Sequence, residues 1–300
     1  MRIFSTPRAP SGPYRLRAGM RALAVLAFLA APAAHALTGV AFVHGTGEQS
    51  DALNDYWTAD MVNSVSAGLD SPDRHVVINC DFEQYMWEDE AAGCLADQLH
   101  DFVVSENVND LVVITHSNGG NVMRWILSNP TWDSRYPEII ERTRWVNALA
   151  PSSKGTPLAN AVMEGNVFES TLGWLLGYQN DAVAMQQTHW MAHYNDNWLY
   201  GTTDRPQLPR GFWSVVGSDV NAAVWSSAAY CGGYTQSVGL NITQSWLDSC
   251  SDGFLDCSSQ SGAGSPWFVD VDAVEGGNVL NHNQSRRPCF GLDGILRNDL

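Results

Sequence analysis

The sequence predicts an α/β chain with a mostly parallel central sheet and helices on both faces. Three observations carry this. Short β-branched runs alternate with longer amphipathic ones, the order from which parallel sheets are built. The run Leu111-Val112-Val113-Ile114 is apolar without alternation, as a strand buried on both faces is. Two runs empty into glycine-bearing turns, His44-Gly45 and Ser117-Asn118-Gly119-Gly120, each followed by a helical pattern.

Taken in order, residues 1–36 predict a secretion leader. Arg15, Arg17 and Arg21 precede the apolar run Ala22 to Ala34, and Ala34-His35-Ala36 forms a small-residue exit, with residues 1–19 as an upstream extension. Residues 37–300 then form one domain. Val40 to Val43 predicts a strand, Asp51 to Leu69 a helix and His75 to Asn79 a second strand. In Trp87 to Val104, Ala91, Leu95, Leu99, Phe102 and Val103 fall at helical spacing. After the strand at Leu111 comes a helix over Asn121 to Leu127, then strands over Trp145 to Leu149 and Phe212 to Val216. Between those last two lies an insertion of about 157–208, rich in aromatics and without a clear strand; it reads as a helical cover or as a cap over a site. Trp190, Tyr194 and Trp198 recur there at i, i+4 and i+8, a stripe expected to face substrate.

The 300 residues carry 16 Lys and Arg against 32 Asp and Glu. Without the five arginines of the leader, the formal charge of the remainder is near −21. Such a surface repels nucleic acid, whose binding needs Lys and Arg against phosphate. The apolar leader is too short to span a bilayer, so an integral membrane protein is not expected. Six cysteines, Cys80, Cys94, Cys231, Cys250, Cys257 and Cys289, all follow the leader; in an exported chain an even count predicts three disulfides. Cys80 with Cys94 is the expected first pair, and Cys231 with Cys250 and Cys257 with Cys289 the others. None sits in a C-x-x-C or His-rich setting, and neither a metal nor an organic cofactor is expected.

Acyl transfer needs a nucleophile on a cramped strand-to-helix turn, a base, an acid to orient it, and backbone N–H groups aimed at the developing oxyanion. Ser117, after an apolar strand and before two glycines, has that context, although Thr115 stands where the G-x-S-x-G pattern has glycine. The His44-Gly45-Thr46-Gly47 turn after an early strand supplies the second element, with the Thr46 and Asn118 N–H groups as the oxyanion donors. The histidines after Ser117 are His189, His193 and His282; the first two lie inside the aromatic insertion, which leaves His282 as the base. For the acid, Asp219 follows a strand directly and Asp252 sits in a polar turn, so both stay open.

These motifs resemble the secreted bacterial triacylglycerol lipases and their α/β-hydrolase relatives. The matching residues are His44-Gly45, His116-Ser117-Asn118-Gly119-Gly120, Gly155-Thr156-Pro157, Asp252-Gly253 ahead of Cys257-Ser258, and Asn281-His282. The resemblance implies the α/β-hydrolase fold and ester hydrolysis, and it favours Asp252 over Asp219. Asn283 replaces the aspartate that in many of these lipases helps to hold calcium, so no calcium site is carried over. The expected function is a secreted lipase or esterase acting on a lipid, small ester or polyester. An extracellular polyester depolymerase of the polyhydroxyalkanoate type is the alternative within the class, and a noncatalytic binding protein on the same fold the alternative outside it.

Overall fold

The computed structural model describes residues 36–165 and 179–300. Residues 1–35 of the leader, and Phe168, Trp174, Leu175, Leu176 and Tyr178 of the insertion, lie outside the described residues. Six strands, β1 (Thr38–Val43), β2 (His75–Val77), β3 (Asp110–His116), β4 (Thr143–Leu149), β5 (Gly211–Val216) and β6 (Ser265–Val269), pair in the order β2-β1-β3-β4-β5-β6. Every pairing is parallel, with Phe42 opposite Ile114 and Ile114 opposite Asn147.

Alternation along β1 sorts the core into two layers. Ala41 and Val43 join Leu111, Val113, Val146 and Ala148 under α2 (Cys94–Ser105), α3 (Gly119–Ser128) and α4 (Tyr136–Arg142). Val40 and Phe42 join Val112, Ile114, Leu149 and Val215 on the other face. There Met61, Val62 and Val65 of α1 (Ala59–Ser66) and Leu292 and Leu296 of the C-terminal helix (Leu292–Asp299) cover them. A smaller cluster brings α5 (Pro157–Met163), α6 (Asp181–Met185) and α8 (Tyr234–Thr243) together with Phe254 and Leu255. The last helix of the insertion, α7 (Thr188–Asn197), buries Met191 and Asn195.

Three expectations change. The helix expected over Asp51–Leu69 is broken. A wide turn, Leu53–Trp57, ends at Thr58, whose φ of 175° leaves the helical region and whose Oγ1 accepts from Met61 N at 3.2 Å to start α1. The stretch expected as a helix from Trp87 likewise opens with a wide turn, Asp89–Gly93, before α2. Strand β6 has no counterpart in the sequence reading. As an edge strand opening on Ser265-Pro266 it pairs on one side only and has no need of a continuous apolar run.

Candidate active site

The loop after β1, with His44 and Thr46, and the turn after β3, with Ser117, leave the carboxyl ends of neighbouring strands. Ser117 follows β3 directly and holds φ +52°, a conformation costly to a non-glycine residue and paid for by the turn around it. The turn is close enough to α3 and the loop after β1 that only glycine fits at two points. A Cβ on Gly119 would meet His44 O at 2.1 Å, and one on Gly45 would meet the Tyr56 hydroxyl at 2.4 Å and Ser117 Cβ at 2.9 Å. Thr115 packs beside Gly120, where a Cβ would meet Pro151 Cβ at 3.1 Å and Thr115 Oγ1 at 3.4 Å.

His282 reaches the serine. Its Nε2 lies 3.1 Å from Ser117 Oγ, and its Nδ1 lies 2.7 Å from Asp252 Oδ2. Asp252 is fully buried; its Oδ1 accepts from the backbone N–H of Phe254 at 2.9 Å and of Leu255 at 2.7 Å. The His282 N–H donates to Asp252 O at 2.9 Å, and the Phe254 ring stacks on the imidazole at 4.6 Å. Where β5 ends, Gly217 lets these loops converge: a Cβ there would meet Leu280 O at 2.2 Å and Asp252 Cβ at 3.1 Å. Asp270, also buried, accepts from Ser218 N at 2.8 Å and Leu280 N at 2.6 Å, and so fixes the histidine loop to the end of β5.

His44 shapes the loop after β1. Its Nδ1–H donates to Gly45 O at 2.7 Å, its Nε2 accepts from Cys80 N at 3.3 Å, and its ring stacks on Phe82 at 4.2 Å. Burial lowers its pKa to about 4, so it is a neutral brace. The Thr46 hydroxyl accepts from Gln186 Nε2 at 3.0 Å, which ties this loop to the end of α6. Among the described residues the Thr46 and Asn118 N–H groups have no protein acceptor, as donors reserved for a ligand oxygen would be.

A second network was not foreseen from the sequence. His116 Nε2–H donates to His282 O at 2.9 Å, which leaves Nδ1 to accept the Tyr56 hydroxyl proton at 2.5 Å. Burial holds the His116 imidazole well below its usual pKa, with His282, Arg286 and Arg287 pushing the same way. Burial also raises the Tyr56 phenol, keeping it a donor. Arg286 and Arg287 both donate to Tyr56 O, and the Arg286 guanidinium lies 4.1 Å above the Tyr56 ring. Tyr56 stands on the turn that the sequence reads as continuous helix, so its approach to His116 was hidden. The cavity over Ser117, about 190 Å³, is lined by Thr46, Tyr56, Gln236, Phe254, His282 and Arg286 among others.

Several expected residues sit elsewhere. Asp219 is exposed and accepts from Val220 N and Gln244 Nε2, both at 2.7 Å, so it does not serve His282. Trp190, Tyr194 and Trp198 are not among the cavity's lining residues. The face of α7 turned inward is Met191 and Asn195; Trp190 and Trp198 are exposed, and Tyr194 packs against the edge of the core. Trp190 stacks on Tyr194 at 6.3 Å, and Tyr194 meets Trp87 edge-on at 5.3 Å. The Cys80–Cys94 bridge is present, but the other two pairs are Cys231–Cys289 and Cys250–Cys257, not Cys231–Cys250 and Cys257–Cys289. The turn carrying Asp252 explains the change. Cys257 N donates to Cys250 O at 2.9 Å, and the antiparallel bridge Ser251–Asp256 closes inside it, so Cys250 and Cys257 are already opposite each other. Cys231 is carried to Cys289 by the histidine loop, where Asn283 Nδ2 donates to Gly232 O and Gln284 Nε2 to Cys231 O.

No family model and no curated protein sequence matches the chain. Solved structures do. The mature lipase BlEst2 of Bacillus licheniformis superposes with TM-score 0.60 at 18% identity, covering 86% of this chain and 88% of its own. The fold is that of the α/β-hydrolases. The metagenomic carboxyl esterase MGS0156 superposes with TM-score 0.53 at 14% identity, covering 89% of this chain and 77% of its own. At such identity the likeness extends to the backbone alone, and the reading of the chemistry rests on the side chains around Ser117.

Proposed function

We propose that the protein is an exported serine hydrolase that cleaves carboxylic esters through an acyl-enzyme on Ser117, in the manner of a lipase or esterase. The observation that carries this is the unbroken chain from Ser117 Oγ through His282 to Asp252, at 3.1 and 2.7 Å, on a serine held at positive φ. Ser117 attacks the ester carbonyl while His282 Nε2 takes the hydroxyl proton, and Asp252 stabilises the imidazolium across Nδ1. The oxyanion gathers the Thr46 and Asn118 N–H groups. His282 returns the proton to the leaving alcohol; water, deprotonated by the same imidazole, then releases the acid. No step draws on a cofactor.

Export is part of the proposal. Three disulfides favour an oxidising compartment, and two of them brace the turn of Asp252 and the loop of His282. No helix among the described residues is long and apolar enough to cross a membrane. Residues 37–300 are taken as one catalytic domain with an insertion near 157–208, and the charge near −21 argues for an ester partner rather than nucleic acid.

The test is labelling by a fluorophosphonate probe together with hydrolysis of p-nitrophenyl esters and polyester films. Wild type should label once, at Ser117, and Ser117→Ala should lose at least a thousandfold in ester turnover while staying folded, in line with what a triad member supplies. A variant that keeps a tenth of the activity would remove Ser117 as nucleophile, and an unlabelled wild type would favour a noncatalytic binding protein. Turnover of films but not of soluble esters would favour the depolymerase.

A further inference from the structure

Three arginines of this acidic chain meet carboxylates, and the others among the described residues donate to carbonyl or hydroxyl oxygens. Arg135 pairs with Asp97 and Asp133, Arg142 with Glu138 at 2.8 Å, and Arg144 with Asp110 at 3.1 Å. Arg286 and Arg287 are of the second kind. They are adjacent and partly buried, and neither has a carboxylate partner among the described residues. Burial lowers the pKa of both groups, because desolvation disfavours the charged form. Arg124 is also buried without a carboxylate, so the place of the cation in the fold, not its lack of a partner alone, points to a ligand.

The position of Arg286 says where an anion would sit. The residue lines the same cavity as Ser117 and His282. Its guanidinium carbon lies 4.1 Å from the Tyr56 ring centroid and Nη1 donates to Tyr56 O, so the group is held by its neighbours rather than free to swing. The Nε–H and Nη2–H donors make no hydrogen bond among the described residues, and they form the edge that takes a carboxylate through two parallel bonds. Two amide side chains also reach the wall, as acceptors rather than donors. Gln236 and Asn283 line the cavity, and their Oε1 and Oδ1 atoms are buried without a partner. At about 190 Å³ the cavity suits a short acyl chain better than a long one.

We propose that the Ser117 cavity selects short esters whose far end is a carboxylate, such as half-esters of small dicarboxylic acids, with Arg286 gripping that carboxylate. This deepens the ester-hydrolase reading and rests on it. A carboxylate at Arg286 would orient the acyl chain so that its carbonyl meets Ser117, and it would supply the counter-charge that the protein withholds.

The experiment compares mono-4-nitrophenyl glutarate with 4-nitrophenyl pentanoate, two esters of similar length differing at the far end. Wild type should turn over the glutarate at least tenfold better in kcat/KM, with free glutarate as a competitive inhibitor. Arg286→Gln lowers both rates, since Arg286 also braces Tyr56, but it should lower the glutarate rate a further ~10- to 100-fold, the range of a charge-assisted hydrogen bond. Arg286→Lys should restore part of the preference. An equal or greater wild-type rate on pentanoate, or an equal loss on both esters in Arg286→Gln, overturns the proposal. So does inhibition by methyl phosphate at lower concentration than glutarate, which would assign the site to a phosphate. Should Arg286→Gln fail to fold, the wild-type preference and glutarate competition still decide. Loss of activity on both esters together with absent fluorophosphonate labelling would instead strike the ester-hydrolase reading itself.

Discussion

Replacing Asp252 by Asn tests the proposed triad at its least accessible member. The carboxylate serves two masters: Oδ1 accepts two backbone N–H groups, from Phe254 and Leu255, while Oδ2 faces His282 Nδ1 at 2.7 Å. An amide has one acceptor oxygen and one NH₂. If the oxygen stays with the two backbone donors, the NH₂ faces His282 and demands a bare Nδ1, so the proton moves to Nε2 and the ring can no longer accept from Ser117. If the amide turns over, the NH₂ collides with two N–H donors in a fully buried site, each left unpaired at about 1–3 kcal/mol. The first arrangement therefore wins and fixes the wrong tautomer. The loss of turnover should approach ~10⁴, as for the equivalent change in a serine protease, which corresponds to about 5.5 kcal/mol in the barrier. Asp219→Asn, at an exposed carboxylate bonded to Gln244, should change turnover less than threefold. Steady-state hydrolysis of a p-nitrophenyl ester by both purified variants is the assay. A mild Asp252→Asn beside a crippled Asp219→Asn would refute the assignment.

Other outcomes follow from the same geometry. His44 titrates near 4 in the fold and near 6.5 unfolded, so the unfolded chain takes up the proton first. Stability should be complete above pH 6.5 and fall by up to about 3 kcal/mol as the pH drops to 4, with His116 acting in the same direction; thermal melts should show this slope, reduced in His44→Gln, and an unchanged slope in that variant would contradict it. Tyr56→Phe strips the donor from buried His116 Nδ1, so denaturant unfolding should show a loss of about 1–3 kcal/mol, and turnover should fall severalfold through the His282 backbone; an unaltered midpoint with full activity would deny that role. Removing the Cys231–Cys289 bridge by paired alanines should cost about 4 kcal/mol by loop entropy for a separation of 58 residues, and titration of denatured, unreduced wild type should find no free thiol. Trp190→Ala should alter short- and long-chain ester turnover by the same factor, since Trp190 stands outside the cavity lining; a selective loss on long chains would return the stripe to substrate binding.

What the sequence determined by itself is local. An apolar run without alternation had to be a central strand, and a serine followed by two glycines had to turn sharply into a helix. The His-Gly turn after the first strand had to be small for the same reason of crowding. His282 was reachable by elimination, and the resemblance of its motif singled out Asp252, because order along the chain narrows the choice even when distance does not. The tertiary structure decided everything that depends on where two distant loops meet. Tyr56 reaches His116 across 60 residues only because Thr58 leaves the helical region and breaks a pattern that reads as one helix. The cysteine pairs follow from which loops fold back on themselves: Cys250 and Cys257 face each other across the turn of Asp252, and no spacing rule ranks that above its rivals. The stripe of Trp190, Tyr194 and Trp198 has helical periodicity, but period alone does not say which side of a helix the sheet covers, and Met191 and Asn195 took the inner face. Arg286 is one arginine among sixteen basic residues in the sequence. Its lack of a carboxylate partner beside Ser117 is a relation between side chains, and such relations exist only once the chain has packed.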